Sequence, residues 1–168
     1  MKLLALTLVC AACSPYSISG GVQAPIAATG TARPDAGTVC VIRSSPWARA
    51  VTFVVHDNQT LVGATKGRSY FCYEAEVGPH TIVSDTFDST DHSGKIQIAI
   101  DPGVRYWLLQ DHENSFGSVT SKLAWIDEEL AADLVKDCAY RVITETPGHE
   151  QLPPPVPYAL ASYDRRSR

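Results

Sequence analysis

The chain has 168 residues, enough for one domain, and a formal net charge of -4. That mild acidic balance argues against a nucleic-acid surface, which needs clustered basic residues. With 45% hydrophobic and 19% charged residues, the chain has the composition of a packed globular unit.

The N-terminus is the most informative stretch. Lys2 supplies a positive start, and Leu3-Leu4-Ala5-Leu6-Thr7-Leu8-Val9 is a short apolar run. Small residues then precede Cys13, and Ser14-Pro15 turns the chain. A charged start, an apolar run and small residues before a cleavage point mark a secretory signal. The run is far shorter than the roughly 20 residues that span a bilayer. Ala11-Ala12-Cys13 resembles the lipobox of lipoprotein signal peptides, with Cys10 where that box usually has Leu. The resemblance implies removal of residues 1–12 and acylation of Cys13. Ser14, rather than Asp, follows the cysteine. By resemblance to the sorting of Gram-negative lipoproteins, that implies the outer membrane, facing the periplasm.

From Ser14 to Gly37 the chain is rich in Ser, Gly, Ala, Thr and Pro and lacks apolar periodicity. It reads as a flexible tether, 13–37 with the lipidated cysteine. The folded unit is expected over 38–145.

Thr38–Arg43 is a β-prone run ended by Ser44-Ser45-Pro46. Ala50–His56 is a second. Asp57-Asn58-Gln59 is turn chemistry, and Thr60–Ala64 returns as its hairpin partner. Ser69–Ala75 follows and is broken by Gly78-Pro79. His80–Ser84 comes next, then a polar loop from Asp85 to Gly94. Lys95–Ile100 alternates strictly, placing Ile96, Ile98 and Ile100 on one face. Asp101-Pro102-Gly103 is a turn, and Arg105–Gln110 and Val119–Trp125 are the last strands. One helix is expected, capped by Asp127, with Glu128 and Glu129 in its first turn. Leu130, Leu134, Val135 and Cys138 would form its packing face. From Thr146 a Pro-rich tail runs to Arg168, with Gln151–Pro157 polyproline-like. The fold class is therefore mainly β: a small antiparallel β-sandwich with one C-terminal helix packed on it.

Several of these segments carry a wider resemblance. Val39-Cys40-Val41-Ile42-Arg43, His56-Asp57-Asn58, Leu61-Val62-Gly63-Ala64-Thr65, Tyr70-Phe71-Cys72-Tyr73, Gly78-Pro79-His80 and Gly103-Val104-Arg105-Tyr106 are its landmarks. Together they resemble a family of small proteobacterial lipoproteins with a domain of unknown function (2846). The resemblance spans most of Thr38 to Ile143, with Gly78-Pro79 standing where the family usually has Pro-Gly. It implies a β-rich fold and an envelope location, and no catalytic residues.

Removal of the leader and acylation would leave Cys40, Cys72 and Cys138 in the domain. The periplasm is oxidising, so pairing is expected. Three single bridges are possible. Cys40–Cys72 is favoured because both lie mid-strand in a compact meander, within reach of a bridge. Cys138 reads as a buried, inert thiol.

Other constellations have plainer readings. Carboxylates neighbour histidines at His56-Asp57, Asp91-His92 and Asp111-His112-Glu113. Adjacent residues on extended chain point to opposite faces, so such pairs chelate poorly. Asp85, Asp88 and Asp91 lack the alternate-position oxygens of a calcium loop. No metal site and no cofactor are expected, and neither a nucleophile elbow nor a phosphate-cradling glycine loop is present. Trp47, Tyr70, Tyr73, Tyr106, Trp107 and Trp125 would make a binding patch if several shared an outer face. The leading expectation is a non-enzymatic envelope lipoprotein that binds another envelope protein or glycan, or acts structurally, with no nucleic-acid partner. Two alternatives remain: a carrier of a small apolar ligand, and a metal-assisted enzyme built on three or more of His56, His80, His92 and His112.

Overall fold

The computed structural model describes residues 14–19, 35–86, 94–115, 118–148 and 152. Eleven strands and one helix lie among them. They are β1 (Ser17–Ile18), β2 (Ala36–Arg43), β3 (Thr52–Asp57), β4 (Thr60–Lys66), β5 (Ser69–Glu76) and β6 (Gly78–Thr86). The chain continues through β7 (Gly94–Ile100), β8 (Arg105–Ser115), β9 (Ser118–Ile126), α1 (Glu128–Val135), β10 (Ala139–Tyr140) and β11 (Ile143–Glu145).

The fold is a β-sandwich with one helix, as its β-branched runs imply. One sheet has the order β10-β5-β2-β8-β9 and the other β4-β3-β6-β7. Val39, Val41, Val55, Phe71, Tyr73, Ala75, Ile82, Ile100 and Leu108 fill the space between them. Each such side chain contributes roughly 1.5–3 kcal/mol on full burial. Ile96 and Ile98 pack against this core on the same face as Ile100, so the alternation in β7 is used as read.

β2 is buried along its whole length because both of its faces are covered. Its odd-numbered residues face the other sheet. Cys40 and Ile42 face the opposite way, against Tyr70, Trp107, Ala131, Val135 and Tyr140, beneath α1 and β10. The outer face of the four-stranded sheet is covered along β3 and β4, while Lys95, Gln97 and Ala99 of β7 stay exposed. Val54, Leu61 and Ala64 pack under Ile143 of β11, with Tyr16, Ile18 and Leu152 alongside.

The helix starts where expected. The Asp127 carboxylate accepts the Leu130 N–H at 2.8 Å, closing the first turn. The β3–β4 hairpin turns through Asn58 and Gln59, both at positive φ, the two-residue turn that matches strand twist. The Asn58 side chain then ties this turn to β6, donating to the Pro79 carbonyl and accepting from the Thr81 N–H. Gly63 permits a close sheet-to-sheet approach: a Cβ there would lie 2.2 Å from the Phe71 ring.

Six expectations change. The sheets are not all antiparallel: β2 pairs in parallel with β8, and β10 with β5. Periodicity tells which face a strand buries, and it does not tell which strand lies beside it. Ser17 and Ile18 are not tether; they pair with Glu145 and Ile143 in a small ribbon, and the folded unit takes in Ala36 and Gly37. Gly78-Pro79 opens β6 rather than separating two strands, and Pro79 lies beyond the last residue that pairs with β3. Asp85 belongs to β6 and is buried, not looped. The helix buries Ala131 and Val135 and leaves Leu130 44% exposed, and Cys138 lies beyond its end. The read stripe was shifted by one residue at its first position, since Ala131 also fits the spacing. Leu152, placed in the tail, packs on the domain.

Candidate functional site

Arg43 ends β2 inside the sandwich, fully buried, with its guanidinium 4.5 Å above the Phe53 ring. It donates to the carbonyls of Val51 at 2.8 Å, Trp47 at 3.1 Å and Ala48 at 2.6 Å. Three backbone acceptors of the 44–51 loop are thus gathered by one cation. Burial pulls this guanidinium down to about 10, opposed by the nearby Asp111 carboxylate. Its clamp fixes the loop that carries exposed Trp47 and Arg49.

Beside that loop opens a cleft of about 740 Å³. Arg49 comes from the clamped loop, and Lys66 from the end of β4. Arg68 follows Gly67 in the tight turn into β5. Arg141 follows β10. The Lys66 N–H donates to Ser69 Oγ at 3.1 Å, which sets the turn. Arg141 is held from two sides: its N–H donates to the Tyr70 carbonyl at 3.0 Å, and its Nη1 to the Ser19 carbonyl at 2.9 Å. Its buried Nε donates to no acceptor among the described residues. Tyr16, Ile18, Pro46, Gly67 and Ala50 also line it, and no carboxylate is among the described lining residues. Arg49, Lys66 and Arg68 form no ion pair among the described residues. A chain of net negative charge therefore concentrates four cations on one concavity. No linear basic cluster announces it, because positions 49, 66, 68 and 141 meet only where the 44–51 loop, the β4–β5 turn and the segment after β10 come together. The Lys66-Gly67-Arg68 triplet was the one local signal.

The other polar centre is interior. Asp57, 5% exposed, takes a hydrogen bond from Tyr73 Oη at 3.0 Å and faces His80 Nδ1 at 2.7 Å. His80 Nε2 faces the Glu76 carbonyl at 2.8 Å. Both ring nitrogens are thus engaged, Nδ1 by the Asp57 carboxylate and Nε2 by the Glu76 carbonyl. The group ties β3 and β6 of one sheet to β5 of the other. It holds no nucleophile, and its Nε2 is committed to backbone, so it reads as a structural cross-brace. A second brace links the sheets through Thr65, Gln110, Ser84 and Ser121. Thr65 Oγ1 donates to Gln110 Oε1, Gln110 Nε2 donates to Ser84 Oγ at 2.6 Å, and the two serine hydroxyls lie 2.7 Å apart.

Burial first, then the charge and hydrogen bond of Asp57, hold the Tyr73 phenol well above its usual range. A phenol with a raised folded value contributes its full stability below about pH 10 and loses it as pH climbs further. Tyr140, raised by burial, and Cys138, raised to about 11, act in the same direction. Arg43 opposes them, since its cation is released earlier in the folded state. Stability is expected to fall from about pH 10 upward, and Tyr73 phenolate to appear only with unfolding. An absorbance titration of the chain beside Tyr73→Phe checks this. A missing phenolate in the variant well before its unfolding transition rejects it.

Of the residues singled out from sequence, Cys40 and Cys72 form a disulfide, their Cα atoms 4.1 Å apart. They are direct partners in the β2–β5 register. Cys138 is free and donates to the Arg43 carbonyl at 3.6 Å. With its thiol raised to about 11, it is protonated and unreactive at neutral pH. Cys13, Asp88, Asp91 and His92 lie outside the described residues. His56, His80 and His112 do not converge, and the described residues hold no group of three metal-ligating side chains. The aromatics do not share one outer face either. Tyr70, Tyr73 and Trp107 are buried, Tyr106 and Trp125 stack edge-on at one end, and Trp47 stands alone, 73% exposed.

Comparison with family models, with curated proteins and with solved structures found no match. No helix among the described residues is long and apolar enough to cross a membrane.

Proposed function

We propose that this chain is a lipid-anchored protein of a bacterial cell envelope, and that its β-domain is a non-enzymatic binding module. Residues 1–12 are the signal peptide, Cys13 carries the acyl chains, and Ser14 directs the protein to the outer membrane, facing the periplasm. The observation that carries the reading is the sequence from Lys2 to Cys13: charged start, short apolar run, Ala11-Ala12, then cysteine. A disulfide between Cys40 and Cys72 fits an oxidising compartment. The resemblance to small envelope lipoproteins points the same way.

The binding role rests on the cleft. The interior between the sheets is filled by apolar side chains and by the two polar braces, which gives an apolar ligand little room. The cleft beside the 44–51 loop carries four cations among its described lining residues. An anionic partner suits it.

Intact-mass spectrometry of the chain expressed in a Gram-negative host tests the anchor. The expected species begins at Cys13 and carries acyl chains. A mature chain beginning at an unmodified Cys13, or one retaining residues 1–12, overturns the reading.

A further inference from the structure

We infer that the cationic cleft docks the phosphate-bearing headgroups of the membrane that holds the anchor. The inference rests on acylation of Cys13 and goes beyond it. Tyr16 lines the cleft and stands three residues after Cys13. Fully extended chain spans at most about 3.6 Å per residue, so the acylated cysteine lies within about 11 Å of Tyr16. Ile18, the next cleft residue, is fixed to β11 by strand pairing. The anchor is therefore joined to the wall of the cleft, not to a long spacer. An acyl-bearing residue at that distance puts Arg49, Lys66, Arg68 and Arg141 at headgroup depth.

The surface there has the composition of a membrane-facing one. Four cations, and no carboxylate, are among the described residues that line the cleft. Trp47, 73% exposed, projects from the loop that also supplies Pro46, Arg49 and Ala50. Tryptophan and tyrosine favour the membrane–water interface, where an apolar ring meets polar headgroups. Cations near an anionic leaflet are attracted within a screening length. The Arg43 clamp keeps the Trp47 loop in place, so little ordering is required on contact.

The test uses the full, acylated chain reconstituted in vesicles of phosphatidylcholine alone or with phosphatidylglycerol. The readout is quenching of Trp47 fluorescence by a spin label on the lipid headgroup, with Trp47→Phe as the background. Anionic vesicles are expected to increase quenching, and salt to reduce it. Neutralising Arg49→Gln and Arg68→Gln is expected to weaken headgroup contact roughly fivefold for each cation. Both side chains are exposed, and thermal melting verifies that the variants fold. Equal quenching in neutral and anionic vesicles overturns the inference, as does indifference to the two substitutions. Inorganic phosphate or a single-stranded oligonucleotide that protects the cleft when anionic vesicles do not assigns it to a soluble ligand, and overturns it too. The mass of the N-terminus, read on the same sample, separates the two claims. An acylated chain without headgroup dependence defeats the cleft alone. An unacylated chain that still binds anionic vesicles defeats the anchor alone.

Discussion

Replacing Asp57 with alanine should destabilise the domain by roughly 2–3 kcal/mol, the cost of leaving two hydrogen-bonding partners without their shared acceptor. The carboxylate is 5% exposed, and the histidine side chain opposite it 10%. Its removal leaves His80 Nδ1 and Tyr73 Oη without their shared acceptor. Three strands in two sheets lose their common partner, so the loss is felt across the sandwich. Asp57→Asn keeps one acceptor and one fold of the network, and should cost visibly less. Tyr73→Phe removes only a neutral donor and should cost about 1 kcal/mol. Urea unfolding of the three variants gives the comparison. If Asp57→Ala falls within about 1 kcal/mol of the parent, the group is not a brace.

The Cys40–Cys72 bridge should have an effect of similar size. It closes a span of 32 residues, worth roughly 3–4 kcal/mol in the chain-entropy treatment. Both sulfurs sit under the helix among Ile42, Tyr70, Trp107 and Val135. The pair Cys40→Ser, Cys72→Ser adds buried hydroxyls to the entropic loss, whereas Cys40→Ala, Cys72→Val isolates it. The second pair should still unfold at a lower urea concentration than the oxidised parent, and no lower than the parent under reductant. A calorimetric midpoint unchanged by reductant in the intact chain would falsify the expectation that the bridge stabilises the fold.

How much of this was legible from sequence depends on distance along the chain. β2 to β9 follow from β-branched runs between turn residues, and the hairpin at Asn58-Gln59 from its turn chemistry. The helix start follows from Asp127 with two glutamates behind it. Cys40 and Cys72 follow from being mid-strand in neighbouring runs. What escaped was made by long-range meeting. Asp57 and His80 both looked like turn residues, and their pairing across 23 positions needed β3 and β6 side by side. A two-residue strand such as Ser17–Ile18 has no periodicity to detect in a stretch rich in Ser, Gly and Pro. The cleft depends on Arg141 reaching Ser19, across more than a hundred positions.

The β1–β11 ribbon has a mechanical consequence. Its strands are antiparallel, with Ser17 opposite Glu145. The chain therefore enters from the Cys13 side and leaves toward the tail at the same pole. Tension between the chain before Ser17 and the chain beyond Glu145 would therefore peel these two strands apart in unzipping geometry. The load would stop at the ribbon, and neither large sheet would be sheared.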